Sequence, residues 1–184
     1  MWAEESVIYQ IYPLGMCGAP YENDGVQAHR ILEVKEWIPH MNKLGVNALY
    51  LSPIFESDTH GYNTRDYRKL DVRLGTNEDF RDVCRALHDN NIKIVLDGVF
   101  NHCGSFNKWM DREHIYDTNP NYPKGAFVSE QSLYRDFFDF EEENWPDNDS
   151  FVGWWGHRTL PKLNYEGSKE LYNYILGIAK KWLN

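Results

Sequence analysis

The sequence is poor in positive charge: 19 Lys and Arg stand against 28 Asp and Glu, for a net charge of −9. Phosphate backbones are held by Lys and Arg in excess, so this balance argues against a nucleic-acid partner. Cysteine is scarce too. Cys17, Cys84 and Cys103 make an odd number without metal-ligand spacing, and no disulfide framework is implied. No apolar run approaches the roughly 20 residues that cross a bilayer, so no membrane partner is expected. The opening MWAEESV has no basic segment leading into an apolar one. No signal peptide is read there, and a cytoplasmic location is expected. Asn148-Asp149-Ser150 matches a glycosylation sequon, but without a secretion signal it reads as chance.

Aromatic residues are plentiful, with 7 Trp and 12 Tyr among 184 residues. Flat rings fill cores and also stack on the apolar faces of sugars, so composition alone favours neither use. The length suffices for one domain with a sizeable core.

Residues 92–104 read IKIVLDGVFNHCG. The run Ile92, Ile94, Val95, Leu96 has the pattern of a strand buried on both faces. It stops at Asp97 and passes through Gly98 to Asn101 and His102. In parallel α/β folds ligands sit beyond the carboxyl ends of the strands, where this acid, amide and imidazole would lie. Taken singly, Asp97 could cap a turn and His102 could be a satisfied surface ring.

Elsewhere the pattern alternates. Residues 7–12 (VIYQIY) read as a strand ended by Pro13, and 14–27 as a loop. Ile31, Val34, Ile38, Met41 and Leu44 have helical spacing, with Pro39 interrupting or restarting the helix and Gly45 closing it. Residues 46–51 form a second strand, and 54–76 a long loop of the kind that is usually functional. Thr76-Asn77-Glu78-Asp79 resembles a capping box opening a helix with Phe80, Val83, Cys84 and Leu87 on one face. Strand starts fall about forty residues apart, as in a run of βαβ units. From 103 to 163 the periodicity disappears, and an acidic cluster spans 139–143. Ser168 then caps a helix with Leu171, Ile175, Ile178 and Trp182 on one stripe.

Four stretches, in order, carry a resemblance: LGVNALYLSPIF (44–55), HGYNTRDYRKLD (60–71), DGVFNH (97–102) and LPKLN (160–164) with Trp154-Trp155-Gly156 upstream. Together they resemble the α-amylase superfamily, glycoside hydrolase family 13, and its neopullulanase, cyclomaltodextrinase and maltogenic amylase branch. The resemblance implies an α/β fold, the first three βα units of a (β/α)8 barrel. Residues 1–102 would hold three strands and two helices, 103–164 an inserted subdomain, and 165–184 the third barrel helix.

The resemblance also implies roles. Tyr62 would stack on the sugar whose bond is cut, His102 would hydrogen-bond it, Asp97 would orient an arginine, and His60 would line the subsite wall. Asn101, Asp66 and Trp155 are supporting positions. In calcium-dependent members the residue at Asn101 is a metal ligand, but calcium wants six to eight oxygens and no acid-rich EF-hand loop is present. No metal or cofactor is therefore expected, and Asn101 is read as a turn residue bonded to its own backbone.

Retaining glycosidases use two carboxylates about 5–5.5 Å apart. No stretch here resembles the family's arginine-x-aspartate nucleophile segment. The catalytic pair is expected downstream of Asn184, in a longer protein that acts on malto-oligosaccharides, and these 184 residues alone are expected to be inactive. A transglycosylase, a non-catalytic carbohydrate-binding protein on a degenerate fold, and an inactive structural piece all stay open. The strands at 7–12 and 92–96 would be sheet edges, with Ile8, Leu49 and Val95 uncovered on the inward face, so self-association is expected.

Overall fold

The computed structural model describes residues 2–141 and 149–183 and contains five strands among them. They are β1 (Ile8–Ile11), β2 (Ala48–Leu51), β3 (Phe55–Ser57), β4 (Thr64–Leu70) and β5 (Lys93–Leu96). The α-helices are α1 (Pro13–Met16), α2 (Ile38–Lys43), α3 (Asn77–Asp89) and α4 (Lys169–Leu183). The mixed α/β chain folds as two compact units. The first comprises Met1–Gly61 and Arg68–Gly98, the second Tyr62–Tyr67 and Val99–Asn184. The second thus gathers the aperiodic stretch, α4 and a six-residue piece from far upstream. Residues 142, 143 and 148, from the acidic cluster and the sequon, lie outside the described residues.

In the first unit β1, β2 and β5 form a parallel sheet in the order β1-β2-β5. Tyr9, Leu49 and Ile94 are in register, as are Gln10, Tyr50 and Val95. Residues in register point to the same face, and neighbours along a strand to opposite faces. Ile11, Leu49 and Leu51 therefore share one face, and all three are buried. Ile8, Tyr50 and Val95 share the other. Grouping Leu49 with Ile8 and Val95 was thus incorrect, because a one-residue offset in pairing exchanges the faces. The expectation that β5 is buried on both sides also fails. Lys93 is exposed and Ile94, Val95 and Leu96 are half-buried, since β5 pairs only with β2 among the described residues.

Three further expectations are revised. Residues 14–27 do not begin as a loop, because Pro13 opens the short helix α1, where its missing N–H costs nothing. The helix expected from Ile31 to Leu44 is a 310 segment, Arg30–Trp37, followed by α2. Pro39 sits in the first turn of α2, and Gly45 follows its end with φ +71°. The apolar spacing still holds, with Ile31, Val34, Ile38 and Met41 buried. The long loop at 54–76 contains β3 and β4, paired as a two-stranded sheet. Within β4 the buried residues are Thr64, Tyr67 and Leu70. Burial at every third position hides the two-residue period by which a strand is recognised.

The capping box forms as expected. Thr76 Oγ1 accepts from Asp79 N at 3.1 Å while Asp79 Oδ2 accepts from Thr76 N at 2.8 Å. The apolar stripe of α3 then buries Phe80, Val83 and Leu87.

The second unit holds turns joined by isolated antiparallel bridges, His102 with Lys162, Phe140 with Phe151 and Gly153 with Pro161. Its core is aromatic. Trp109 stacks on Tyr67 at 5.5 Å between ring centres and meets the rings of Phe137 and Tyr174 edge-on. Ser168 Oγ accepts from Leu171 N at 3.2 Å, capping α4, whose Leu171, Ile175 and Ile178 are buried. No helix among the described residues is long and apolar enough to cross a membrane.

Candidate sugar-binding residues

In the first unit Asp97 follows β5 and points to the face that carries Tyr50. The Tyr50 hydroxyl donates to Asp97 Oδ2 at 2.6 Å, so the carboxylate is already oriented by a neighbouring strand. His60 is half-buried, and its carbonyl accepts from the Tyr12 hydroxyl at 3.1 Å. Burial, reinforced by the positive charge of Arg73, lowers the His60 pKa below its ordinary value. A neutral imidazole at neutral pH offers one donor and one acceptor, as a hydroxyl rim requires. Gly61 follows with φ +94°, and a Cβ there would lie 3.2 Å from Pro53 Cβ. Only glycine allows so tight a passage from His60 to Tyr62.

Behind His60 lies a cluster with no counterpart in the sequence reading. Arg73 and Asp71 are both fully buried. Arg73 Nε donates to Asp71 Oδ1 at 2.8 Å and Nη2 to Asp71 Oδ2 at 2.7 Å, a bidentate pair. Nη2 also donates to Ser57 Oγ at 3.0 Å, and Nη1 reaches the carbonyls of Pro20 and Tyr21 at 2.9 and 2.7 Å. All five guanidinium donors are thus used, which tie β3, the turn at Asp71 and the loop after α1 together. Glu56 is buried beside this cluster, and its pKa is raised by that burial.

In the second unit the chain brings four of the named positions together. Leu163 N donates to the Asn101 carbonyl at 3.0 Å and Cys103 N to the Pro161 carbonyl at 3.0 Å. This zips the LPKLN segment onto the DGVFNH segment. Trp154 N donates to the Leu160 carbonyl at 2.9 Å, and the Trp154 ring consequently stacks on His102, 4.9 Å between centres. Trp155 stacks in turn on Trp154 at 4.4 Å. The His102 ring is buried, with Nε2 2.9 Å from the Tyr62 carbonyl and Nδ1 3.2 Å from Asn101 Nδ2. The network assigns the proton to Nε2, which donates to Tyr62, while Nδ1 accepts from the amide.

Tyr62 is held at its carbonyl while the residue stays 40% exposed. Asn101 therefore bonds the imidazole rather than its own backbone. Asp66 is half-buried on β4. Among the described residues no group of three or more His, Cys, Asp or Glu side chains is placed to hold a metal ion.

The functional partners that sequence reasoning missed are Tyr50, Arg73 and the stacking role of Trp154. Only Trp154 carried a local signal, its place in the WWG triplet. Tyr50 meets Asp97, 47 residues away, and Arg73, besides Asp71 two residues before it, meets Ser57, Tyr21 and Pro20 16 to 53 residues away.

Residues 31–184 match the alpha-amylase catalytic domain family. A cyclomaltodextrinase of Thermoanaerobacter pseudethanolicus is 29% identical over 217 residues, covering 99% of this chain and 33% of that protein. Neopullulanase 2 of Thermoactinomyces vulgaris is 30% identical over 204 residues, covering 99% and 32%. Among solved structures, a cyclic alpha-maltosyl-(1→6)-maltose hydrolase from Arthrobacter globiformis superposes with a TM-score of 0.77 at 28% identity. That match covers 99% of this chain and 42% of the other. The chain spans about a third of the length of these two curated relatives. With the family match running from the 310 segment before α2 to the last residue, the chain belongs to the alpha-amylase family, within its catalytic domain.

Proposed function

We propose that this chain carries the sugar-binding part of a retaining glycosidase acting on α-glucosidic bonds of starch-derived oligosaccharides. In this reading β1, β2 and β5 with their helices are the first three βα units of a (β/α)8 barrel, and residues 103–164 are an insertion after the third strand. The names of the relatives and the parallel order β1-β2-β5 support it. The 184 residues hold no arginine-x-aspartate segment, so the nucleophile and general acid are assigned to sequence beyond them.

The observation that carries the proposal is the state of Tyr62: an exposed ring on a backbone fixed by a buried histidine. A stacking platform needs that combination, because a ring whose main chain is already ordered loses little entropy on binding. His102 acts first as a positioning residue for Tyr62. A direct bond from its Nε2 to a sugar hydroxyl would compete with the Tyr62 carbonyl for a single N–H. In the first unit His60 is assigned to line a subsite wall and Asp97 to orient an arginine; in the second unit Asn101, Asp66 and Trp155 are assigned as supporting positions.

Titration calorimetry with maltoheptaose tests this, with cellohexaose as the control and reducing-sugar release followed in parallel. Maltoheptaose should bind while release stays at background. Tyr62→Ala should weaken binding roughly five-fold and Tyr62→Phe less than about two-fold, since stacking needs the ring and not the hydroxyl. Equal effects of the two substitutions, or turnover that survives rigorous purification, would contradict the assignment.

We also propose that the chain self-associates through its sheet. Among the described residues β1 and β5 each pair with β2 alone, and Ile8 is 54% exposed. Open strand edges beside apolar side chains recruit further strands. Light scattering after size exclusion should report a dimer or larger assembly, and a stable monomer at high concentration would dismiss the idea.

A further inference from the structure

Trp155 is 82% exposed, unusual for a large flat ring, and its backbone is left-handed at φ +51°. A bulky residue there is a conformational outlier, and such strain persists only where the surroundings over-determine it. Here they do. A Cβ on Gly153 would lie 2.3 Å from the His157 carbonyl oxygen, so the turn closes tightly just before Trp154 and Trp155. Trp154 N and His157 N are both bonded within the turn, to the carbonyls of Leu160 and Trp154. One face of the Trp155 indole is covered by Trp154, which rests on His102, which in turn holds the Tyr62 carbonyl. Gly156, His157, Arg158 and Thr159 follow, all exposed.

We propose that the outer face of Trp155 is a second sugar platform that takes a glucosyl unit other than the one on Tyr62. This rests on the sugar-binding reading above and extends it to a separate position. The occupant follows from the chemistry of the site. A hexopyranose has one apolar C–H face for the indole and a rim of hydroxyls for donors and acceptors such as His157, Arg158 and Thr159. Trp155 lies two ring-stacking steps from His102, so it serves a chain of several sugars better than a disaccharide. The strained backbone presents the ring without further ordering, and the stack transmits its position to the histidine that fixes Tyr62.

The test labels the protein with 5-fluorotryptophan and follows 19F NMR and calorimetry during titration with maltoheptaose and with maltose. The Trp155 resonance is assigned by its loss in Trp155→Phe. Trp155→Asn removes the ring but suits the left-handed backbone, so the turn is kept. Maltoheptaose should shift the Trp155 resonance. Trp155→Asn should weaken maltoheptaose binding roughly five-fold while changing maltose binding less than about two-fold, and Trp155→Phe should retain most of the affinity. Unchanged maltoheptaose affinity in Trp155→Asn, with Tyr62→Ala still weakened, overturns this inference alone. Equal losses for both sugars, or a Trp155 signal that moves with protein concentration and not with sugar, also overturn it. If the unsubstituted chain binds no maltoheptaose, the sugar-binding reading itself fails and this inference with it.

Discussion

Replacing Arg73 with methionine is expected to destabilise the first unit by about 3–5 kcal/mol, the loss that follows when one partner of a buried ion pair is removed. Methionine fills much of the volume, so the loss comes from Asp71, which stays fully buried without its guanidinium. The carbonyls of Pro20 and Tyr21 also lose their donor. The melting temperature should fall by roughly 10 °C or more. The double change Arg73→Met with Asp71→Asn should cost less than Arg73→Met alone. Asparagine is neutral and its oxygen can still accept from Ser57, whose N and Oγ lie 3.1 and 2.8 Å from Asp71 Oδ2.

Denaturant titrations of the single and double variants would decide. Equal stability of the two would show that the charge of Asp71 is tolerated without its partner.

A loss of similar size, about 3–5 kcal/mol, is expected in the second unit for Trp109→Ala. The ring is buried and contacts Tyr67, Phe137 and Tyr174. Those three come from β4, from the 310 turn Arg135–Phe137 and from α4, elements separated by scores of residues. All three rings meet the indole, so its removal leaves a cavity that no local shift can close. Trp109→Phe should cost much less. Amide exchange reads the effect by position: Cys103 and Gly104, whose N–H groups bond the carbonyls of Pro161 and Thr64, should lose protection in Trp109→Ala. Unaltered protection at both amides would mean that the bridges hold without the aromatic core.

The sequence by itself determined whatever depends on neighbours a few residues apart. The capping box at Thr76, the left-handed Gly45, the Ser168 cap and the apolar stripes of α3 and α4 were legible because their partners lie within one or two turns. The strand order and the family followed as well, because short β-branched runs and motifs keep their order along the chain. The tertiary structure alone decided which face of the sheet Leu49 joins, since faces exchange with a one-residue change of register. It alone joined β3 to β4 inside an apparent loop. It alone decided that His102 spends its N–H on the Tyr62 carbonyl, 40 residues away, and that Arg73 spends its five donors on Asp71, Ser57, Pro20 and Tyr21. A polar side chain can form many bonds of nearly equal strength, and only closure of the chain selects which partner it meets.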